Sequence, residues 1–326
     1  MAASDPLQTQ WRVRPQDVRL TPSKLHWHVR MAGEINPQRA LDRLRRAAPE
    51  DLWPPDAAGL EDLQRNVSRL PLEVSQVYSH IGGMRRSPRF PLYLMRPGEV
   101  AATVQEFRLA GQTLHDAGLA SFGDGEHAIL LFSDGNGNYL GLHLKAPFAP
   151  RGFILDHEEP NLEPRFKSLA SMLDALAESV DREECYFGDM PTDYPAIEPA
   201  LVNADDRELS LQLLNQYYHD PHKYRADAHA AMQLSHPDDM ETFANLLDSE
   251  DMWISEKMCR IVGMRRYRPA INRMVEVAIA KGGNRIIATI VALRGWPDEE
   301  ALSALRVIKG RLGKAYDPYF PPSLRP

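Results

Sequence analysis

The sequence predicts an α+β chain: a domain with a mostly antiparallel sheet and flanking helices, then an all-α region. Three observations predict it. Short apolar strand-like runs and amphipathic helices succeed one another between residues 58 and 180, with no regularly repeating strand–helix–strand unit. A stretch rich in Asp, Glu and Pro follows, from about Asp181 to Asp206. Beyond Arg207 the apolar residues recur only at helical spacing.

The elements justify themselves in order. PQRALDRLRRA (Pro37 to Ala47) has Pro near a helix start and Leu41, Leu44 and Ala47 on one stripe, and WPPD then interrupts it. In LPLEVSQVYSHIGG, Pro71 stands at the first helical position, and Leu70, Val74, Val77, Tyr78 and Ile81 share a face. Gly82 and Gly83 are expected to end that helix through the left-handed conformation. FPLYLM (Phe90 to Met95) reads as a short strand and PGEVAATVQEFRLAG (Pro97 to Gly111) as a helix. HAILLF and YLGLHL, the latter with Leu140, Leu142 and Leu144 on one side, flank an Asp, Gly and Asn-rich turn and form a hairpin. RGFILDHEE (Arg151 to Glu159) adds a strand. FKSLASMLDALAESV adds a helix with Pro164 near its start and Phe166, Leu169, Leu173 and Leu176 inward.

Between Asp181 and Asp206 the prolines Pro191, Pro195 and Pro199 recur without apolar periodicity, which predicts an irregular connection. The helical region from 207 to 326 carries successive stripes, among them Leu209, Leu213, Leu214 and Tyr217; Ile254, Met258, Ile261 and Val262; Ile271, Met274, Val275 and Ala278. Breaks are expected at Asp248 to Asp251, Gly263, Gly282-Gly283 and Gly295 to Pro297. Short loops between such helices imply antiparallel neighbours, and the pairs resemble HEAT-like repeats, a solenoid-like arrangement. The organisation read from sequence is therefore an N-terminal extension (1–57) packed on a central domain (58–180), an acidic connection (181–206) and a helical domain (207–326).

Composition narrows the function classes. The chain has 326 residues, 43% hydrophobic and 25% charged, the balance of a soluble globular protein. MAASDPLQTQWRVR has no apolar stretch of the signal-peptide kind, and no run approaches a membrane span, so a cytoplasmic location is expected. Cys185 and Cys259 have no CxxC spacing, which speaks against a disulfide framework and a thiolate metal site. A net charge of −7 argues against direct nucleic-acid binding and suits a basic partner.

The residues that invite chemistry are few. Asp134, Asn136 and Asn138 alternate as calcium ligands do. The sixth position counted from Asp134 is Tyr139, where an EF-hand needs Gly, and the twelfth is Lys145, where it needs a carboxylate. His26 and His28 flank Trp27 without a third ligand fixed by spacing. His219, Asp220 and His222 fall in YYHDPHKY, which reads as a loop between helices. Lys257, Arg260, Arg265, Arg266, Arg268 and Arg273 form a basic run that reads as a solvated face paired with neighbouring acids. The P-loop, HExxH, GxSxG and GxGxxG patterns are missing. The reading is of no catalytic residue, no metal and no cofactor.

LPLEVSQVYSHIGG, FPLYLM, FGDGEHAILLFSDGNGNYLGLHL, RGFILDHEE and FKSLASMLDAL, in this order, resemble the SMI1/KNR4 family, the SUKH superfamily, over roughly residues 58 to 180. The resemblance implies a binding protein and not an enzyme. Most bacterial members look like immunity proteins (antitoxins) that bind and neutralise a cognate polymorphic toxin in the cell that makes it. Fungal members regulate cell-wall synthesis, also by binding. The expected partner is thus a toxin domain, of basic charge, its active site occluded in the toxin–immunity complex. The partner face is assigned to the acidic groups Asp124, Asp134, Asp156, Glu158 and Glu159 and the neighbouring amide of Asn136, with Asp189 and Asp193 of the acidic connection second. Two alternatives stand beside it: a regulatory scaffold of the cell-wall-regulator kind, and an enzyme with a site between the domains, built on His219 and His222.

Overall fold

The computed structural model describes residues 37–67, 69–86, 92–104, 128–156, 162–182, 190–312 and 314–324. The architecture is α+β: one five-stranded antiparallel sheet with helices, and a long helical region after it. The strands are β1 (Tyr93–Leu94), β2 (Ala128–Ser133), β3 (Tyr139–His143), β4 (Gly152–Leu155) and β5 (Pro164–Phe166), and they neighbour one another in chain order.

Before and between them lie α1 (Pro37–Ala47), α2 (Ala57–Asn66), α3 (Leu72–His80) and a helical stretch, α4, over 97–104. After β5 come α5 (Leu169–Asp181), α6 (Ala204–His219), α7 (Arg225–Leu234), α8 (Met240–Phe243), α9 (Met252–Arg265), α10 (Ile271–Lys281), α11 (Asn284–Arg294) and α12 (Glu299–Arg311).

Helix α5 lies on the sheet. A Cβ on Gly152 would collide with the thioether of Met172, so the missing side chain lets helix and strand approach. Helix α1 packs on α5, and Arg43 reaches Asp174 and Asp181 across the pair, at 2.9 and 3.2 Å. Leu41, Leu44, Tyr78, Leu94, Phe132, Phe153, Phe166 and Leu173 are all nearly solvent-free in this core.

Both outer strands have their free backbone edges engaged. Met84 N–H donates to Leu94 O of β1 at 2.8 Å, and Arg165 O of β5 accepts from the N–H groups of Asp193 and Tyr194 at 2.9 and 3.1 Å. Residues 190–203, before α6, form no strand or α-helix apart from a single 3-10 turn at Pro199–Leu201, and Tyr194 and Ala196 within them are buried.

Several expectations are corrected. Pro71 is the N-cap of α3 and not its first helical residue. Gly82 and Gly83 do not cap that helix: Ile81 does, in an extended conformation. The glycines serve the next step of the chain. A Cβ on Gly82 would run into Pro54 O, and Gly83 sits at φ +114 against the backbone of residues 94–96. Phe166 belongs to β5, and α5 begins at Leu169 with the Ser168 side chain accepting from Ser171 N–H. Strand β3 does not alternate: Gly141 and His143 are buried along with Leu140 and Leu142, and Leu144 is half-buried, because both faces of the sheet are covered. Gly263 is no break. It lies inside α9, where its missing Cβ admits Ala292 of α11, and its carbonyl accepts from Trp296 Nε1–H at 2.9 Å. The helix expected over 97–111 is described only to residue 104.

Candidate functional site

Register gathers part of the predicted acidic face at one end of the sheet. Tyr93 pairs with Ser133, Ser133 with Tyr139 and Tyr139 with Leu155. One residue further on, Asp134 leaves β2, Asn138 enters β3 and Asp156 leaves β4, so Asp134, Asn136 and Asp156 share that end.

The turn there is built by its own carboxylate. Asp134 Oδ1 accepts from the N–H groups of Asn136 (2.7 Å) and Asn138 (3.1 Å), and Oδ2 accepts from Asn138 Nδ2 (2.7 Å). Gly135 (φ +75) and Gly137 (φ +97) take the left-handed conformations this requires. The resemblance to a calcium loop is thus turn chemistry, with the Asp134 oxygens spent on the chain itself. Among the described residues no group of three His, Cys, Asp or Glu side chains is placed to share a metal ion.

Asp193 sits elsewhere. Its carboxylate accepts from Lys167 N–H at 2.8 Å and from the Ser171 hydroxyl, at the start of α5. Lys167 follows Phe166, which pairs with Gly152, the end of β4 opposite Leu155. The predicted face is therefore divided between the two ends of the sheet. Asp124, Glu158, Glu159 and Asp189, together with His26, His28 and Cys185, lie outside the described residues.

Sequence reasoning missed a set of buried charges where the sheet meets the helical region. Glu163, 3% exposed, receives Gln233 Nε2 at 2.9 Å, pairs with Arg165 at 2.5 Å and is bound by the Lys257 ammonium. His229 Nδ1 stands 4.0 Å from the same carboxylate. Burial, aided by the nearby Arg225, pushes the His229 imidazole down to about 4, so it is neutral at pH 7. Asp206, wholly buried, accepts from Arg151 Nε at 2.8 Å and from the Tyr194 hydroxyl at 2.5 Å. Arg265 donates to Ala196 O (2.9 Å), Ser235 O (2.7 Å) and Ser235 Oγ (2.8 Å), and burial lowers it to about 10. Those partners join the sheet and the proline-containing segment to α6, α7 and α9.

The basic run is largely paired. Lys257 meets Glu163, Arg260 meets Glu256, Arg268 meets Asp298 and Arg273 meets Asp248, while Arg265 is absorbed by backbone carbonyls. His219 and His222 are exposed at the turn between α6 and α7. Asp206, at the other end of α6, marks the junction with the sheet. A helix of this length puts the histidines roughly 20 Å from it. Cys259 is buried, which raises its thiol to about 11. Among the described residues no helix is long and apolar enough to cross a membrane.

No protein-family model matches the chain, and no curated protein matches its sequence.

Proposed function

We propose that the chain is a non-enzymatic, cytoplasmic immunity protein that binds and neutralises a cognate toxin domain, with a SUKH-like α+β part and a HEAT-like helical part. The observation that carries this reading is the sheet end bearing Asp134, Asn136 and Asp156. It is a polar, partly exposed surface held on paired strands, and its loop geometry is fixed by internal hydrogen bonds. A surface ordered before contact loses little entropy on binding, which is what tight inhibition requires.

The helical part supports the second half of the proposal. Helix α9 packs on α11 and α10 on α12, so alternate helices stack in two layers, as in a helical solenoid.

The test is affinity capture of the tagged full-length protein from its own cells. One stoichiometric partner, toxic when expressed alone and harmless beside this protein, is the expected result. Asn136→Lys together with Asp156→Lys, which keeps the Asp134 turn bonds, should then abolish protection while the protein stays folded. Several substoichiometric, non-toxic partners would overturn the immunity reading in favour of a regulatory scaffold.

A further inference from the structure

We propose that Arg85, Arg86 and Arg96, laid on the rings of Trp53 and Tyr93, form a docking surface for an acidic segment of a partner protein. The guanidinium carbons of Arg85 and Arg96 lie 4.5 and 5.6 Å from the centroid of the same indole, that of Trp53. The Arg86 guanidinium lies 5.1 Å from the centroid of Tyr93 and donates to its hydroxyl at 3.1 Å. All three arginines are exposed, Trp53 is half-exposed and Tyr93 is buried beneath Arg86.

The backbone fixes these groups in one place. Trp53 N–H donates to Gly83 O and Gly82 N–H to Trp53 O, both at 2.9 Å. Arg85 N–H donates to Asp51 O, and Met84 N–H donates to Leu94 O, two residues before Arg96. The glycine pair that ends the sequence motif around α3 thus brings the arginines of residues 85, 86 and 96 to the aromatic rings.

Stacking decides what the arginines are prepared to do. A guanidinium lying on a ring keeps its N–H edge free, already ordered, and matched to carboxylate oxygens. Arg96 has a partial counter-charge, Asp56 Oδ2 at 3.7 Å, while its backbone N–H donates to Glu99 Oε2 at 2.7 Å. Asp134 and Glu99 also act on Arg86 through space. Among the described residues no carboxylate lies within ion-pair distance of Arg85 or Arg86. Most of the basic run from Lys257 to Arg273 is paired with carboxylates, whereas among the described residues Arg85 and Arg86 have no carboxylate partner. Trp, Tyr and Arg are also the residues that dominate binding energy at protein interfaces.

An acidic protein segment fits better than nucleic acid. Three guanidinium groups fall short of the roughly 6–10 phosphate contacts of a nucleic-acid site. Trp53 is covered by cations where a base would stack, and the chain carries a net charge of −7. The inference holds whichever class of partner the protein has. Because a Cβ on Gly135 would strike Arg86, this basic surface adjoins the Asp134 turn, and a partner spanning both meets the two signs side by side.

The experiment titrates a fluorescein-labelled decapeptide of alternating Asp and Glu with the full-length protein at low salt. An oligothymidylate of equal charge serves as comparison. The expected result is peptide binding that weakens about tenfold or more in Arg85→Ala/Arg86→Ala, with the protein still cooperatively folded because both side chains are exposed. Arg85→Lys/Arg86→Lys keeps the charge and loses the planar stack, and should also weaken binding. No peptide binding by the wild type, equal binding by either double variant, or tighter binding of the oligothymidylate would overturn the proposal.

Discussion

The Tyr194 hydroxyl donates to Asp206 Oδ2 at 2.5 Å in a site closed to solvent, while Arg151 holds the other carboxylate oxygen. A residue of the proline-containing segment, the first turn of α6 and the start of β4 thus meet at one carboxylate. Burial and the facing Asp206 charge raise the Tyr194 phenol well above its ordinary range, which keeps it a donor at neutral pH. Asp206→Ala leaves Arg151 buried without its counter-charge and should cost about 3–5 kcal/mol, against about 1–2 kcal/mol for Tyr194→Phe. Urea denaturation of the two variants measures both values. Equal, small losses would mean that the triad does not hold the segment.

The Glu163–Lys257 pair should behave as a coupled unit. Glu163→Gln leaves an ammonium largely buried and is expected to cost about 3–5 kcal/mol, whereas Glu163→Gln combined with Lys257→Met should recover a large part of that loss. A double-mutant cycle in guanidinium or urea reads the coupling directly, and strict additivity would argue against it.

His229 sets an acid limit on stability. Its native imidazole is neutral down to about pH 4, while in the unfolded chain it takes up a proton near 6.5. Between those values unfolding binds a proton, so stability falls as the pH falls; the full separation corresponds to about 3 kcal/mol. Arg225 and Arg165 oppose the cation and Asp251 favours it. From pH 7 to about pH 4.5 the wild type should lose about 2 kcal/mol more than His229→Gln. Parallel slopes for the two proteins would contradict this.

Gly263→Ala tests the helix contact. In an open helix the change should gain about 1 kcal/mol through propensity. Here the new Cβ would stand 2.6 Å from Ala292 Cβ and 2.9 Å from its Cα, neither of which can rotate away, so a net loss of about 1–3 kcal/mol is expected. A rise in melting temperature would show that α9 and α11 separate without cost.

Asp134→Ala removes three hydrogen bonds from the β2–β3 turn and should cost about 1–2 kcal/mol. Calcium or a chelator should leave the melting temperature of the wild type unchanged.

What the sequence made legible follows from period. The hairpin around Asp134 stood out as two apolar runs about a turn of Asp, Gly and Asn, and α9 and α10 stood out by their apolar stripes; both patterns are local. Strand β5 did not, since three residues are too few to show alternation, and Pro164 and Phe166 mimic a helix start. Helix α7, RADAHAAMQL, escaped because it is buried almost all round and Ala-rich, leaving no contrast between faces. The charge pairs of the junction were invisible in principle: Arg151 and Asp206 stand 55 residues apart, Glu163 and Lys257 94. Only a lone Glu set among Leu162, Pro164 and Phe166 hinted at a buried anion. Of the predicted acidic face, register united Asp134, Asn136 and Asp156, while Asp193 had been turned to the start of α5.

The engaged backbone of β1 and β5 has a consequence for how this molecule keeps company. A sheet whose outermost strands are unpaired is a template: it recruits other extended chains, copies itself into fibrils or exchanges strands with a neighbour. Here Met84 closes one margin and Asp193 with Tyr194 partly closes the other. Crowded beside other copies of itself, the described sheet offers little to be extended, and a partner that meets these margins is recognised by side chains more than by strand addition.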